Sequence, residues 1–196
     1  MSEHFFAIDL RGLSPKEYGR QLSKVFYALH GALHRAGNGK VGLTFPGWKA
    51  SSASREVSLG EIIGVVSNDN ESLMNVMDIY NREISIIDPT LKADRVYAVP
   101  EDCDRVIFKR NRLRQKYLKM ANNPALGNSK IDYANQRLEE MGYFPKVSLS
   151  SKGTRQKFTF EISMHAADQT NNEGEYSSYG LASGNELKSV PTLKVN

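Results

Sequence analysis

The segment SPKEYGRQLSKVFYALHGALHRAG, residues 14–37, decides the fold because it predicts one long helix near the start of the chain. Ser14 can cap this helix, Pro15 suits its first position and Glu17 completes a capping box. The apolar residues that follow the helical period are Tyr18, Leu22, Val25, Phe26, Leu29 and Leu33. Gly37 then supplies the stop.

Strands are predicted on both sides of this helix. His4 to Leu10 is rich in aromatic and β-branched residues, which favour a strand. Lys40 to Phe45 returns as a second strand, which ends at Pro46. The start of the chain therefore predicts a strand–helix–strand unit.

The remainder of residues 1–100 predicts a second unit of the same kind. Glu61 to Ser67 reads as a strand, and a further strand lies within Arg95 to Val99. The helix between them carries Leu73, Val76, Met77 and Tyr80 on one face. Glu83 to Pro89 is predicted as a looser connection or an extra strand. The order βαββαβ is that of a ferredoxin-like domain, which serves many unrelated functions.

The second half, residues 101–196, is predicted as a smaller α+β domain that begins near Pro100 to Asp104. A chain of 196 residues can bury one larger core or two small ones, so the fold class predicted overall is α+β. The elements predicted here are an arginine-rich helix, a helix over Ile131–Met141, a hairpin of Lys146–Ser151 and Lys157–Ser163, a loop over Asp168–Glu175 and a last strand over Ser177–Ala182.

A basic strip, RVIFKRNRLRQKYLK, runs from Arg105 to Lys119 and contains no acid. Its seven cations are Arg105, Lys109, Arg110, Arg112, Arg114, Lys116 and Lys119. The whole chain has a net charge of +4, so the other residues together carry −3. Such a concentration of charge indicates a polyanion partner, most often nucleic acid. The alternative is a solvated helix face, which usually interleaves acids with its cations.

The sequence also predicts the cellular compartment of the protein. The start of the chain lacks the basic and apolar regions of a signal peptide, and no apolar run reaches the roughly 18 residues of a membrane span. Cys103 is the single cysteine, which excludes an internal disulfide and a multi-cysteine zinc site. We therefore expect a cytoplasmic protein without a membrane partner.

Few residues offer chemistry. The chain has no phosphate-binding Walker loop, no dinucleotide-binding glycine motif and no His-Glu-x-x-His zinc motif. His30 and His34 have a spacing that could clamp a metal, but no third ligand is near in sequence, so no metal site is predicted. His30 alone, at the edge of the apolar face, is either a structural histidine or a catalytic one.

Several short segments, in this order, resemble a known family. They are Leu29-His30, Val41-Gly42-Leu43-Thr44-Phe45-Pro46, the basic strip, Ser148-Leu149-Ser150-Ser151 and Ser178-Tyr179-Gly180-Leu181. Together they look like the type I-F CRISPR repeat-processing endoribonuclease, the Csy-type member of the Cas-six superfamily. The match covers nearly the whole chain. Val99-Pro100-Glu101-Asp102-Cys103 resembles the branch found in CRISPR-associated transposons.

The resemblance implies a ferredoxin-like domain followed by a domain with an arginine-rich helix, which bind the repeat hairpin and cut at its 3′ base. It implies a reaction without metal or cofactor, in which a ribose 2′-OH attacks the adjacent phosphate. The products would be a 2′,3′-cyclic phosphate and a 5′-OH. The family's catalytic residues fall on His30 as general base, Ser151 as the group that holds the 2′-OH, and Tyr179 as the residue that orients the histidine.

The resemblance also implies RNA contacts. Phe158 matches an aromatic residue that stacks on the last base pair, and Arg105 matches an arginine that reads a guanine. The cations that match groove-facing residues are Arg112, Arg114, Lys116 and Lys119, with Arg114 the first choice among them. The chain departs from the family where Ile107 replaces a base-reading glutamine, Gly153 a second serine and Met120 a groove arginine.

The partners implied are the CRISPR repeat RNA, the 3′ hairpin of the guide RNA, the backbone subunits of a Cascade complex and a TniQ-type transposition adaptor. Two other functions stay open. One is a subunit that caps the RNA hairpin without cutting it, and the other is a generic RNA-binding module. Against the second, no strand carries the aromatic signature with which RRM domains stack bases.

Overall fold

The computed structural model describes residues 2–51, 56–150, 156–167, 174–183 and 187–193. The first half forms one antiparallel sheet with two helices. Its elements are β1 (His4–Asp9), α1 (Pro15–Ala32), β2 (Gly42–Thr44), β3 (Ile62–Ser67), α2 (Asn70–Ile87) and β4 (Tyr97–Ala98). The strand order β2-β3-β1-β4 is antiparallel throughout, which confirms the predicted ferredoxin-like arrangement.

The start of α1 has the predicted capping box. The Ser14 hydroxyl accepts the backbone N–H of Glu17, and the Glu17 carboxylate accepts the backbone N–H of Ser14. The helix continues as one π-helical segment, Leu33–Gly37, and Asn38 then adopts a left-handed conformation with φ 45°. The helical segment therefore ends at the predicted glycine.

The structure corrects the prediction for Glu83 to Pro89. Helix α2 runs on to Ile87, because Ile84 continues its buried face, and Asp88 forms the C-cap. Only Pro89–Leu91 turns away, as a short 3₁₀ helix. Residues 83–87 therefore belong to α2 and form neither a loose connection nor a strand.

The second half forms a second antiparallel sheet and two helices that pack against each other. Its elements are β5 (Arg105–Arg110), α3 (Arg112–Ala121), a 3₁₀ helix (Pro124–Leu126), α4 (Asn128–Met141), β6 (Lys146–Ser150), β7 (Lys157–Ala166), β8 (Glu175–Tyr176), β9 (Ala182–Ser183) and β10 (Val190–Pro191). The strand order is β10-β5-β7-β6, and β8 pairs with β9 separately. The predicted helix and hairpin are present.

The predicted strand over Ser177 to Ala182 is wrong. Ser177 to Leu181 is the tight turn between β8 and β9, in which the Gly180 N–H donates to the Ser177 carbonyl over 2.8 Å. Serine and glycine favour such turns. Of the loop predicted over Asp168 to Glu175, residues 168–173 lie outside the described part, and Glu175 begins β8.

The two halves pack through aromatic side chains. Phe26 of α1 stacks on Phe45 at 6.0 Å between ring centroids and meets the edge of Phe160 of β7 at 6.3 Å. Phe45 also meets Phe108 of β5 at 4.9 Å. The buried apolar residues of both halves thus form one contiguous cluster, which holds α1 against the second sheet.

Among the described residues, no helix combines the length and hydropathy that crossing a membrane would require.

Candidate active site

His30 lies in the last turn of α1 and faces the β8–β9 turn. Its Nδ1 atom is 2.8 Å from the carbonyl oxygen of Ser178. Its ring stacks on Tyr179, with 4.2 Å between centroids and 5° between planes. The structure therefore brings together two residues predicted for one site, although 149 positions separate them in the sequence.

The β8–β9 turn is fixed in place by backbone contacts. The Gly180 carbonyl accepts the N–H of Leu43 in β2 over 2.8 Å, and the Ser177 N–H donates to Leu181 over 2.8 Å. Gly180 has φ +67°, and a Cβ there would lie 2.5 Å from the Leu43 side chain. Only glycine satisfies both conditions, so the turn that carries Tyr179 has little freedom to move.

The contact with Ser178 fixes the tautomer of a neutral His30 ring. A carbonyl oxygen can only accept, so Nδ1 carries the proton and donates it to Ser178. The Nε2 atom then holds the lone pair that a general base needs. Tyr179 also packs against the core residue Phe160, with 5.2 Å between ring centroids, and this contact supports the stacked pair.

Ser151, the third residue predicted for the site, lies outside the described residues, as does Gly153. The strands that flank it are described, and Ser150 of β6 pairs with Lys157 of β7.

A cleft of about 770 Å³ extends from the β8–β9 turn, which contacts His30, to the basic strip. Its lining comes from the β5–α3 junction, from β7, from the end of α4 and from the β8–β9 turn. The polar and charged residues among them are Lys109, Arg110, Asn111, Arg112, Ser163, His165, Ser177, Ser178, Tyr179 and Ser183. A ligand in this cleft would contact cations of the strip and the turn that holds His30 together.

His165 and Ser163 are cleft residues that the sequence analysis missed. The Ser163 hydroxyl is 3.0 Å from His165 Nε2. Burial, with a smaller contribution from the charge of Lys109, lowers the pKa of His165. The alternation of β7 places 161, 163 and 165 on one face, and this pattern could have identified them as neighbours.

Arg114 of the basic strip is buried. Its guanidinium is 2.7 Å from Glu161, and the two residues are 5% and 2% exposed. Lys146 approaches the same carboxylate at 3.5 Å. In this conformation Arg114 anchors α3 to β7, and its predicted contact with RNA stays a prediction.

Arg105 is also engaged within the chain. It forms two hydrogen bonds with the Glu3 carboxylate, the shorter of 2.6 Å, and donates to the hydroxyl and carbonyl of Ser189. The hydrogen bonds that Arg105 donates to the Glu3 carboxylate raise the pKa of Arg105. Its predicted reading of a guanine stays a prediction.

Arg110 is half-buried and contacts neighbouring side chains without forming an ion pair in the described part of the chain. Its guanidinium donates to Gln115 over 3.0 Å and lies 5.4 Å from the centre of the Phe160 ring. Lys109 is half-buried at the cleft. Phe158 is half-buried against the core and pairs across the hairpin with Leu149, and nothing in the structure tests its predicted stacking on RNA.

Arg112, Lys116 and Lys119 form the exposed face of α3. They line a groove of about 380 Å³ between α3 and the 3₁₀ helix at Pro124–Leu126. Within the described part of the chain, none of the three forms an ion pair with a carboxylate. Their predicted contact with RNA phosphates stays a prediction.

The described residues contain no group of three or more histidine, cysteine, aspartate or glutamate side chains placed to hold a metal ion. The rings of His30 and His34 meet edge to face, 6.3 Å apart.

The model of the CRISPR-associated protein family Cas_Csy4 matches residues 8–193, almost the whole chain. The chain belongs to the Csy4 family. The Csy-type resemblance is thus confirmed, and Csy4 proteins are endoribonucleases that bind and process CRISPR repeat RNA. Family membership therefore supports an RNA-cleaving enzyme that binds repeat RNA.

Two other comparisons add little to this Csy4 assignment. No curated protein matches the sequence. Among solved structures, the chain is similar to the crystal structure of a protein assigned as a chlorite dismutase, with 10% identity over 86% of this chain and 80% of that chain. The TM-score is 0.28, which is too low to indicate a shared fold.

Proposed function

We propose that this Csy4-type chain cleaves CRISPR repeat RNA at the 3′ base of its stem-loop without a metal ion. A ribose 2′-OH attacks the adjacent phosphate, the new O–P bond forms and the bond to the 5′ oxygen of the next nucleotide breaks. The products are a 2′,3′-cyclic phosphate and a 5′-OH. His30 accepts the proton of the 2′-OH.

The observation that carries this proposal is the hydrogen bond from His30 Nδ1 to the Ser178 carbonyl. It leaves Nε2 as the basic atom of the neutral ring. Stacking on Tyr179 restricts the ring to one plane, so that the lone pair has a fixed direction. A base held in one orientation does not have to be ordered at the moment of reaction, which is the advantage that positioning gives a catalyst.

The other catalytic roles follow from the resemblance. Tyr179 orients the imidazole, and its observed stack with His30 supports this role. Ser151 holds the attacking 2′-OH. The leaving 5′ oxygen takes up a proton from solvent water as the bond to phosphorus breaks, and His30 later returns its proton to solvent.

The basic strip holds the hairpin in this proposal. Arg112, Lys116 and Lys119 contact phosphates along the groove, as their exposure allows. Lys109 and Arg110 lie at the cleft and would contact the RNA between the groove and His30. Arg105 reads the guanine at the base of the stem, Phe158 stacks on the last base pair, and Arg114 either joins the groove contacts or positions the helix that makes them.

After cleavage the chain stays on the 3′ hairpin of the guide RNA as a subunit of a type I-F Cascade complex. The Val99–Cys103 segment further favours a complex that recruits a TniQ-type adaptor for transposition. A hairpin-capping subunit without cleavage activity is the alternative, and it predicts binding without product.

The test is to incubate the purified chain with its own repeat RNA in EDTA and to analyse the ends of the products. We expect cleavage with a 2′,3′-cyclic phosphate on the 5′ fragment. The same RNA with a single 2′-deoxy nucleotide before the cleavage site should bind equally well and remain intact. Cutting of the deoxy RNA would contradict the mechanism, and binding without cutting of the ribose RNA would favour the capping subunit.

A further inference from the structure

A second groove, of about 550 Å³, runs along α1 away from His30. Its walls are α1, the end of α2 and the β6–β7 hairpin. We infer that this groove holds the single-stranded RNA that follows the cleavage site. The inference rests on the proposed function, because it takes the scissile phosphate to lie at His30.

The groove begins one helical turn from the histidine. Tyr27 lines it and precedes His30 by three residues, so that both side chains lie on one face of α1. Arg20 lines the far end. At about 1.5 Å per residue, Arg20 and His30 are about 15 Å apart along the helix. At the stacked spacing of about 3.4 Å, this length takes about four nucleotides.

The lining of the groove suits a single strand of RNA. Arg20 on α1 and Lys157 on β7 are exposed and lie on opposite walls, where they can contact successive phosphates. Tyr27 offers an aromatic ring, on which a base of any identity can stack. The hydroxyls of Ser148 and Thr159, 3.0 Å apart, can bond a ribose 2′-OH.

Charge favours an anion over a peptide. No carboxylate lies among the described residues that line the groove, while three cations do. Lys24 is the third of them, and it is partly neutralised by Asp88 at 3.2 Å. In the described part of the chain, Arg20 and Lys157 form no ion pair with a carboxylate, which corresponds to about two phosphate contacts.

The geometry also decides which strand enters. Nucleotides that follow the scissile phosphate are attached directly at His30, and the groove starts within one helical turn of that point. The 3′ flank therefore starts beside the entrance of the groove. A 5′ flank leaves from the opposite strand of the stem base.

The experiment measures binding of stem-loop RNAs that carry a 2′-deoxy nucleotide before the cleavage site. One RNA ends at the cleavage site, one carries four single-stranded nucleotides after it, and one carries the same four on the 5′ side. We expect the 3′ flank to tighten binding about tenfold and to steepen the salt dependence by about 1.4, since each single-strand contact contributes about 0.7. Equal affinity for all three RNAs, or a gain from the 5′ flank alone, would overturn the inference.

Variants test whether the gain in affinity from the 3′ flank arises in this groove. The double variant Arg20→Ala with Lys157→Ala should lose most of the gain from the 3′ flank and bind the unflanked RNA as the unchanged protein does. Lys16→Ala, which removes an exposed cation of α1 outside the groove, is the matched control and should keep the gain. Tyr27→Phe should keep it as well, whereas Tyr27→Leu should lose about fivefold on the flanked RNA only. A loss that is equal on both RNAs would contradict the groove assignment.

Cleavage of the all-ribose RNA is measured in parallel. Cleavage together with no effect of the flank would overturn the groove assignment alone. Absence of cleavage would overturn the proposed function and the inference that rests on it.

Discussion

Arg114 and Lys116 stand two positions apart in one basic strip, yet folding gives them different environments. Arg114 is 5% exposed and paired with Glu161, while Lys116 is exposed beside a groove. Arg105 resembles the first case through its contacts with Glu3 and Ser189. Arg112 and Lys119 resemble the second. The strip therefore contains cations that are paired within the protein and cations that are exposed, and we propose that the exposed ones contact RNA.

This difference follows from the helical period. Arg114, Tyr117, Leu118 and Ala121 share one face of α3, with Arg114 and Tyr117 buried. Arg112, Lys116 and Lys119 share another face. Charge density alone describes a polyanion-binding segment, but spacing within the helix assigns each cation to the sheet or to solvent.

The largest expected effect concerns the buried pair. Arg114→Met leaves the Glu161 carboxylate with only Lys146 beside it, and removing one partner of a buried ion pair costs about 3–5 kcal/mol. We expect a loss of this order in the free energy of unfolding, measured by urea denaturation. The presence of Lys146 places the expected value at the lower end.

Arg112→Ala is the matched control, since it removes an exposed cation from the same helix and should change the free energy of unfolding by less than about 0.5 kcal/mol. Joint replacement of Arg114 and Glu161 by apolar residues should recover much of the loss. If Arg114→Met unfolded like the unchanged protein, the division of the strip would be wrong.

The exposed cations should show the opposite behaviour. Replacing Arg112, Lys116 and Lys119 together by alanine should weaken hairpin binding by roughly 100-fold at 0.1 M salt and flatten the salt dependence by about 2.7, at about 0.9 per phosphate contact. The free energy of unfolding should stay nearly constant. An unchanged slope would mean that these side chains do not meet phosphate.

Arg105 should fall between the two groups. Its contacts are half-exposed, so Arg105→Ala is expected to reduce the free energy of unfolding by about 1 kcal/mol, well below Arg114→Met. Its predicted role in base reading adds a second effect on binding. Replacing the guanine at the stem base should then weaken binding to the unchanged protein but not to the variant. An equal effect on both would restrict Arg105 to the contacts with Glu3 and Ser189.

The smallest effect concerns Lys109 and His165. The pKa of His165 is lower in the folded protein than in the unfolded protein. The contribution of neutral His165 to the free energy of unfolding is therefore complete above about pH 6.5 and is lost as the pH falls below that value. Lys109→Ala removes part of the cause, so the pKa of His165, followed by NMR titration, should rise. An unchanged pKa of His165 in this variant would contradict the contribution of Lys109.

Most of the fold could be predicted because periodicity and capping agree over the first half. Residues 14–37 carry a capping box, an apolar stripe and a glycine stop, and each is local in sequence. The β8–β9 turn was missed because Ser177 to Ala182 is short, and its structure depends on Leu43 packing against Gly180. Contacts of that kind are not visible in a local pattern.

The resemblance predicted that His30 and Tyr179 share one site, but it did not predict the geometry in which they meet. His30 and Tyr179 followed from the family resemblance, while their stacking depends on the packing of α1 against the second sheet. The burial of Arg114 could have been predicted from its position three residues before Tyr117 and seven before Ala121. Its partner Glu161 could not, because the register of β7 against α3 is set by tertiary packing.

The most direct test of the account is the single-turnover rate of repeat-RNA cleavage in EDTA for His30→Ala and His34→Ala. The two histidines lie one helical turn apart. Of these two described residues, only His30 forms a hydrogen bond with Ser178 and stacks on Tyr179. We expect His30→Ala to lower the rate by about 10²–10⁴-fold with hairpin affinity unchanged, as loss of a general base does, and His34→Ala to keep it. Equal rates for His30→Ala and the unchanged protein would contradict the assignment of His30 as the base.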